Sequence, residues 1–193
     1  MGVLVAFDAQ ANWAETHVCD SLLLGSVERL GAAWGRSKVE SPGPTDAALA
    51  ALLDSRRDEV AEFGARFGTG SVERIRLLPE AAHWPERRRD WRRLDARDGW
   101  VVHWVLEGTL LVYLQAASGY LAVLCEAGEW LAIPAGLLHL RDAGEAPELD
   151  LLVLSQPGAG IGPAPHGQGD AGLPSLDEFV DTMLELTGHA ADE

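Results

Sequence analysis

Lysine is almost missing from this 193-residue sequence: Lys38 is the single example, and the other fourteen basic residues are arginine. That usage fits a GC-rich bacterial genome and says nothing about chemistry. Cysteine is scarce as well, and Cys19 and Cys125 neither build a disulfide framework nor carry the spacing of a zinc site. Apolar runs such as Leu151 to Leu154 are far too short to span a bilayer. The opening Met1-Gly2-Val3-Leu4, with Asp8 close behind and no basic flank, does not read as a secretory signal. Positive charge is outweighed. Thirty Asp and Glu against 15 Lys and Arg leave a formal net charge of -15, which repels a phosphate backbone and an anionic lipid surface alike. Nucleic acid and membrane are therefore not expected partners, and a soluble cytoplasmic protein is expected. What the chain does have is apolar content, 47% of its residues, enough for a single domain with a buried core.

The order of signals along the chain predicts three parts. Residues 1–70 form an N-terminal segment in which the break Ser41-Pro42-Gly43-Pro44 precedes a helix over about 47–62. Thr45 or Asp46 would cap it, and Leu49, Leu52, Leu53, Val60 and Phe63 lie on the side that packs against the rest. Residues 71–155 are the β-rich core. Residues 72–77 alternate with period two, and strands follow over 100–105, 109–115, 120–125, 130–133 and 149–154, separated by glycine-bearing turns. Short strands at this spacing predict a sandwich or small barrel with flanking helices. Residues 156–193 are a Gly- and Pro-rich tail ending in a short helix that starts at Ser175-Leu176-Asp177-Glu178 and runs to about Leu186.

Against the acidic background, Arg87, Arg88, Arg89, Arg92, Arg93 and Arg97 fall within eleven residues. One reading is an exposed edge paired with Glu86, Asp90, Asp95 and Asp98. The other is an entry rim for a small anionic molecule, with Trp84 and Trp91 at the mouth of its pocket.

The segment Gly128-Glu129-Trp130-Leu131-Ala132-Ile133-Pro134-Ala135-Gly136-Leu137-Leu138-His139 fits the second cupin motif: Gly, five residues, Pro-x-Gly, two residues, His. A glycine turn starts a strand, Pro-x-Gly bends the chain at the barrel wall, and the histidine arrives pointing inward. With Ala122 to Ala127 before it and Leu140 to Pro147 after it, the segment resembles the bacterial acireductone dioxygenases. These are cupins of the methionine salvage pathway that use iron or nickel to cleave an enediol with dioxygen. The resemblance extends through Val105 to Gly108 and Arg74 to Pro79, and is densest over residues 100–147. It implies a cupin jelly-roll (double-stranded β-helix) barrel, all-β at its core, and, because cupins often pair through sheet faces, a homodimer.

The first cupin motif departs from that family. Counting back from Gly108, the family's two histidines fall on Asp95 and Arg97 and its glutamate on Val101, so that His139 alone remains of the four ligands the resemblance implies. An arginine that the family carries two residues after the glutamate falls on His103. Strand alternation turns Val101, His103 and Val105 to one interior face, and puts Trp100 and Trp104 on the opposite face, against the N-terminal elements. Trp130 reads as core.

One imidazole does not hold iron or nickel, so the expected site has no metal and no cofactor. The leading expectation is a metal-independent cupin enzyme for isomerisation, cyclisation or elimination on a small organic substrate. His139 and His103 would face one another across an apolar cavity as acid and base, and Asp95 would orient one imidazole or act as the base itself. Arg97, Trp91, Val101, Val105 and Ile133 would bind substrate. One alternative is a remodelled iron-dependent oxygenase in which Asp95, His103 and His139 make a two-histidine, one-carboxylate triad. Another is a non-catalytic, ligand-binding cupin.

Overall fold

The run Val101-Val102-His103-Trp104-Val105-Leu106 has no polar side to give to water, and it becomes a central strand buried on both faces. The computed structural model describes residues 2–37, 48–159, 161–162 and 172–188. In chain order its elements are β1 (Val3–Asp8), β2 (Trp13–His17), α1 (Asp20–Glu28), β3 (Ala33–Arg36), α2 (Leu49–Ser55), α3 (Arg57–Phe67), β4 (Ser71–Leu77), α4 (Trp84–Trp91) and β5 (Ala96–Arg97). There follow β6 (Val101–Glu107), β7 (Thr109–Ala116), β8 (Gly119–Glu126), β9 (Glu129–Ile133), β10 (His139–Asp142), β11 (Leu149–Ser155), β12 (Ile161–Gly162) and α5 (Leu176–Thr187). Two antiparallel five-stranded sheets, β10-β7-β8-β1-β2 and β3-β9-β6-β11-β4, face each other as a jelly-roll barrel, with β5 and β12 forming a separate pair.

The core has three layers. Between the sheets lie Leu4, Val105, Leu110, Val112, Val123, Ile133 and Leu151. The outer face of β6 presents Val102, Trp104 and Leu106 to Leu52 of α2 and to Phe63 and Phe67 of α3. The outer face of the other sheet presents Val5, Phe7, Leu111 and Tyr113 to Phe179 of α5. That helix opens with a capping box in which the Ser175 hydroxyl accepts from the Glu178 amide at 3.2 Å and the Glu178 carboxylate accepts from the Ser175 amide at 2.7 Å. Gly108 makes the β6–β7 turn at φ 79, and a Cβ there would sit 1.8 Å from the Glu148 carbonyl oxygen, so no other residue fits. No described helix is long and apolar enough to cross a membrane.

Two expectations about the first seventy residues are corrected. The expected helix over about 47–62 is two helices, α2 and α3, and the second continues to Phe67. The break falls at Arg56, whose buried guanidinium turns inward over Trp104, 5.0 Å from the ring centre. Its expected caps, Thr45 and Asp46, lie outside the described residues. Nor does the barrel start at residue 71, because β1 pairs with β8 and β3 pairs with β9, so the N-terminal segment completes both sheets. Trp100 and Trp104 do pack against that segment, through Phe67 and Phe63 respectively.

Candidate active site

Between the sheets, open on the side of α4, lies a cavity of about 310 Å³. His103 enters it from the middle of its sheet, and His139 from β10 at the edge of the other; their ring centres are 6.1 Å apart. Gly136, at φ 77, makes the bend before β10, and its amide donates to the Arg97 carbonyl at 2.9 Å. The motif that delivers His139 is thereby tied to the segment carrying Asp95 and Arg97. Asp95 and His139 also exchange two backbone hydrogen bonds of 2.9 Å, an antiparallel bridge that sets their side chains next to each other.

The hydrogen bonds fix both imidazoles. His139 Nδ1 lies 2.9 Å from the Leu137 carbonyl, which only accepts, so Nδ1 carries the proton and Nε2 keeps its lone pair. Burial pushes the His139 pKa below its ordinary value although the Leu137 carbonyl and Asp95 pull it up. Its Nε2 therefore faces Asp95 Oδ1 at 3.9 Å as lone pair against lone pair, and Asp95 Oδ1 is buried without a hydrogen-bond partner. His103 Nε2 lies 3.0 Å from Nη1 of Arg141, and a guanidinium only donates, so Nε2 accepts and its lone pair is occupied. Burial, followed by the charge of Arg141, holds His103 well below its ordinary pKa, that is, neutral.

Arg141 is the residue that sequence reasoning passed over. It follows His139 by two positions on β10, hence on the same face, and its guanidinium lies on the Trp91 ring at 4.1 Å from the centre. Burial and the nearby Arg97 push its pKa down to about 10. Arg97 approaches Asp95 with its Nε 3.8 Å from Oδ1. The cavity expected to be apolar is thus floored by two guanidiniums, two imidazoles and one carboxylate.

Of the expected substrate residues, Arg97, Trp91 and Val101 line the cavity; Val105 and Ile133 do not. Both face inward as alternation requires, but they sit lower in the barrel, sealed in the core. Trp84 is also not at the mouth. It is buried, donates from Nε1 to the Gly144 carbonyl at 2.8 Å and meets Trp91 edge to face. The arginine-rich segment is the end of helix α4, which carries Arg87, Arg88 and Arg89, followed by a turn with Arg92 and Arg93 and by β5 with Arg97. Arg88 of α4 and Arg92, four residues on at the helix's C-cap, both grip the fully buried Asp142, with N···O distances of 2.8–2.9 Å, and Arg88 also reaches Asp177. Of the acids expected as partners, Asp95 does meet an arginine of the segment, Arg97, while Glu86, Asp90 and Asp98 are not the partners of Arg88 and Arg92; Arg93, Asp90 and Glu73 stand at the exposed rim of the cavity.

Whether these groups suit a divalent metal turns on the His139 and Asp95 pair. The two atoms stand 3.9 Å apart, with Arg97 Nε 3.8 Å from the same Asp95 oxygen, and metal bonds of about 2.0–2.2 Å from each would span that gap. His139 and Asp95 fit as two donors. The triad with His103 does not assemble, because Arg141 occupies the His103 lone pair, and among the described residues no three His, Cys, Asp or Glu side chains form a metal group.

No protein-family model matches the chain. It is 32% identical over 147 residues to acireductone dioxygenase 1 of Nocardia farcinica, across 71% of this chain and 76% of that protein. The chain belongs to the acireductone dioxygenase family. Acireductone dioxygenase 2 of the same organism is 31% identical over 138 residues, 67% of this chain and 71% of its own length. A solved acireductone dioxygenase from Bacillus anthracis, with a cadmium ion in its active centre, superposes with a TM-score of 0.68 at 14% identity, over 80% of this chain and 92% of that one. That likeness shows the shared cupin fold.

Membership of the acireductone dioxygenase family corrects the leading functional expectation. The relatives are enzymes named as dioxygenases, and the solved neighbour holds a metal ion in its active centre, so a cofactor-free isomerase, cyclase or lyase is not sustained, nor is a site without cofactor. The oxygenase alternative stands closer to these relatives.

Proposed function

We propose that this chain is an oxygenase that cleaves a small enediol with dioxygen in the barrel cavity. The observation that carries the reading is the facing pair of His139 Nε2 and Asp95 Oδ1, in the cavity that the second cupin motif builds. These two residues would hold the iron or nickel that the family resemblance implies. When bound, that ion supplies Lewis acidity toward the enediol oxygens and electron exchange with dioxygen. Overall the enediol carbon–carbon bond breaks, both dioxygen atoms enter the products, and each carbon leaves as a carboxylic acid.

The chain's own residues supply the setting. The Leu137 carbonyl keeps the proton of His139 on Nδ1, so that Nε2 faces the reacting centre. Arg97 offers a guanidinium beside Asp95 to the enediolate oxygens as they gain charge. Val101, Ile75 and Val153 wall the cavity against bulk water. His103 positions Arg141 rather than reacting.

Oxygen uptake with reductic acid, an enediol, in the presence of iron(II) or nickel(II) tests the reading. The wild-type chain is expected to consume one dioxygen per enediol, above the rate of metal alone. His139→Ala is expected to lower that rate by about a hundredfold or more. Uptake no faster than the protein-free blank, or equal in the two proteins, overturns it.

A further inference from the structure

We infer that Arg141 anchors a carboxylate that the substrate carries apart from its enediol, so that the substrate is a compact enediol acid. The inference deepens the oxygenase reading and rests on it for the enediol. The other arginines that are not exposed have acidic partners: Arg56 pairs with Glu59, Arg74 with Asp150, Arg88 and Arg92 with Asp142, and Arg97 approaches Asp95. Arg141 has none. Its interactions are one hydrogen bond donated to His103 Nε2 at 3.0 Å and the Trp91 ring against its face, and no carboxylate among the described residues forms an ion pair with it. A guanidinium has five donors in a planar fork, and one held on an aromatic face with its remaining donors toward a cavity is built to take two oxygens at once.

The surroundings fit an anion. On the cavity floor Arg97 and Arg141 stand beside one carboxylate, Asp95, which Arg97 already approaches. Glu73, Asp90 and Arg93 belong to the exposed rim, where water screens them. Length is set by the strand. His139 and Arg141 are two residues apart on one face of β10, about 6–7 Å, so a molecule reaching from the His139–Asp95 pair to the Arg141 fork is roughly five to seven heavy atoms long. The cavity of about 310 Å³ holds such a molecule.

Anaerobic calorimetry with two probes tests the anchor: dihydroxyfumarate, an enediol bearing carboxylates, and reductic acid, an enediol without one. The wild-type chain is expected to bind dihydroxyfumarate at least about tenfold more tightly. Arg141→Met is expected to bring the ratio to about one while changing reductic acid binding less than about twofold, with Arg141→Lys in between because it keeps the charge and loses the fork. Equal wild-type affinity for both probes, a comparison that needs no variant, overturns the anchor. So does an equal loss of both probes in the two variants. Oxygen uptake from reductic acid without a carboxylate preference overturns the anchor alone, and the preference without uptake from either probe overturns the oxygenase reading alone.

Discussion

Trp91 is where the residue scale is most exposed to test, because its ring is the floor on which the Arg141 guanidinium lies. Removing the ring in Trp91→Ala forfeits a desolvated cation–π contact of about 1–2 kcal/mol, so calorimetry is expected to show dihydroxyfumarate binding weakened about five- to thirtyfold. Trp91→Phe, which keeps an aromatic face, is expected to lose much less. An unchanged affinity in Trp91→Ala would mean that the ring only packs. His139 was legible in the sequence because a glycine turn, Pro-x-Gly and a fixed count to the histidine describe a local bend. Asp95 was legible by counting, but its contact with His139 arises from a bridge between segments more than forty residues apart, which no local period encodes. Arg141 was missed because residues 139–142 form a four-residue strand with no apolar alternation to announce it. Val105 and Ile133 were placed on the correct face and at the wrong depth, since alternation specifies a side of a strand and not a height along the barrel.

At the element scale, α4 is held to the barrel by Asp142. Burial alone would raise this carboxyl's pKa, but the Arg88 hydrogen bond, the Leu176 amide and Arg92 hold it below its ordinary value. A carboxyl depressed on folding contributes stability that is fully present above its unfolded pKa, near 3.8, and is lost as pH falls through the lower folded value. Asp142→Asn, which removes the buried charge that Arg88 and Arg92 share, is expected to cost about 3–5 kcal/mol at neutral pH, and urea melts against pH should show a flatter acid limb in the variant. Gly108→Ala is expected to cost at least about 1–3 kcal/mol, read as a lower denaturation midpoint, because the left-handed turn and the Glu148 carbonyl both reject a Cβ. A midpoint like the wild type's would contradict that close approach. The arginine-rich segment read as an exposed edge or an entry rim, and neither reading showed the grip on Asp142, because the segment's charge masks the i, i+4 relation of Arg88 and Arg92. The break at Arg56 was invisible because apolar spacing continues through it.

Over the whole molecule, a formal charge of -15 surrounds a cavity floored by two guanidiniums. The exterior repels an anionic substrate that the interior binds, so raising ionic strength from about 10 mM to 200 mM is expected to raise kcat/KM severalfold and leave kcat unchanged, by screening encounter rather than chemistry. A fall in kcat/KM over that range would place attraction, not repulsion, on the approach. At this scale the cupin barrel was legible, since turn-separated strands and one dense motif suffice for it. The part played by β1 and β3 was not, because pairing with β8 and β9 across about a hundred residues leaves no mark in either segment alone. The central claim, that the His139 and Asp95 pair holds a metal for oxygen chemistry, is tested most directly by anaerobic calorimetry of iron(II) and nickel(II) against the wild-type chain and His139→Ala, with and without dihydroxyfumarate. Two protein donors are fewer than such ions usually require, so the expected result is weak binding by the chain alone, about one ion per chain when the enediol is present, and loss of that binding in His139→Ala. No ion bound under either condition, or binding that His139→Ala leaves unchanged, would contradict it.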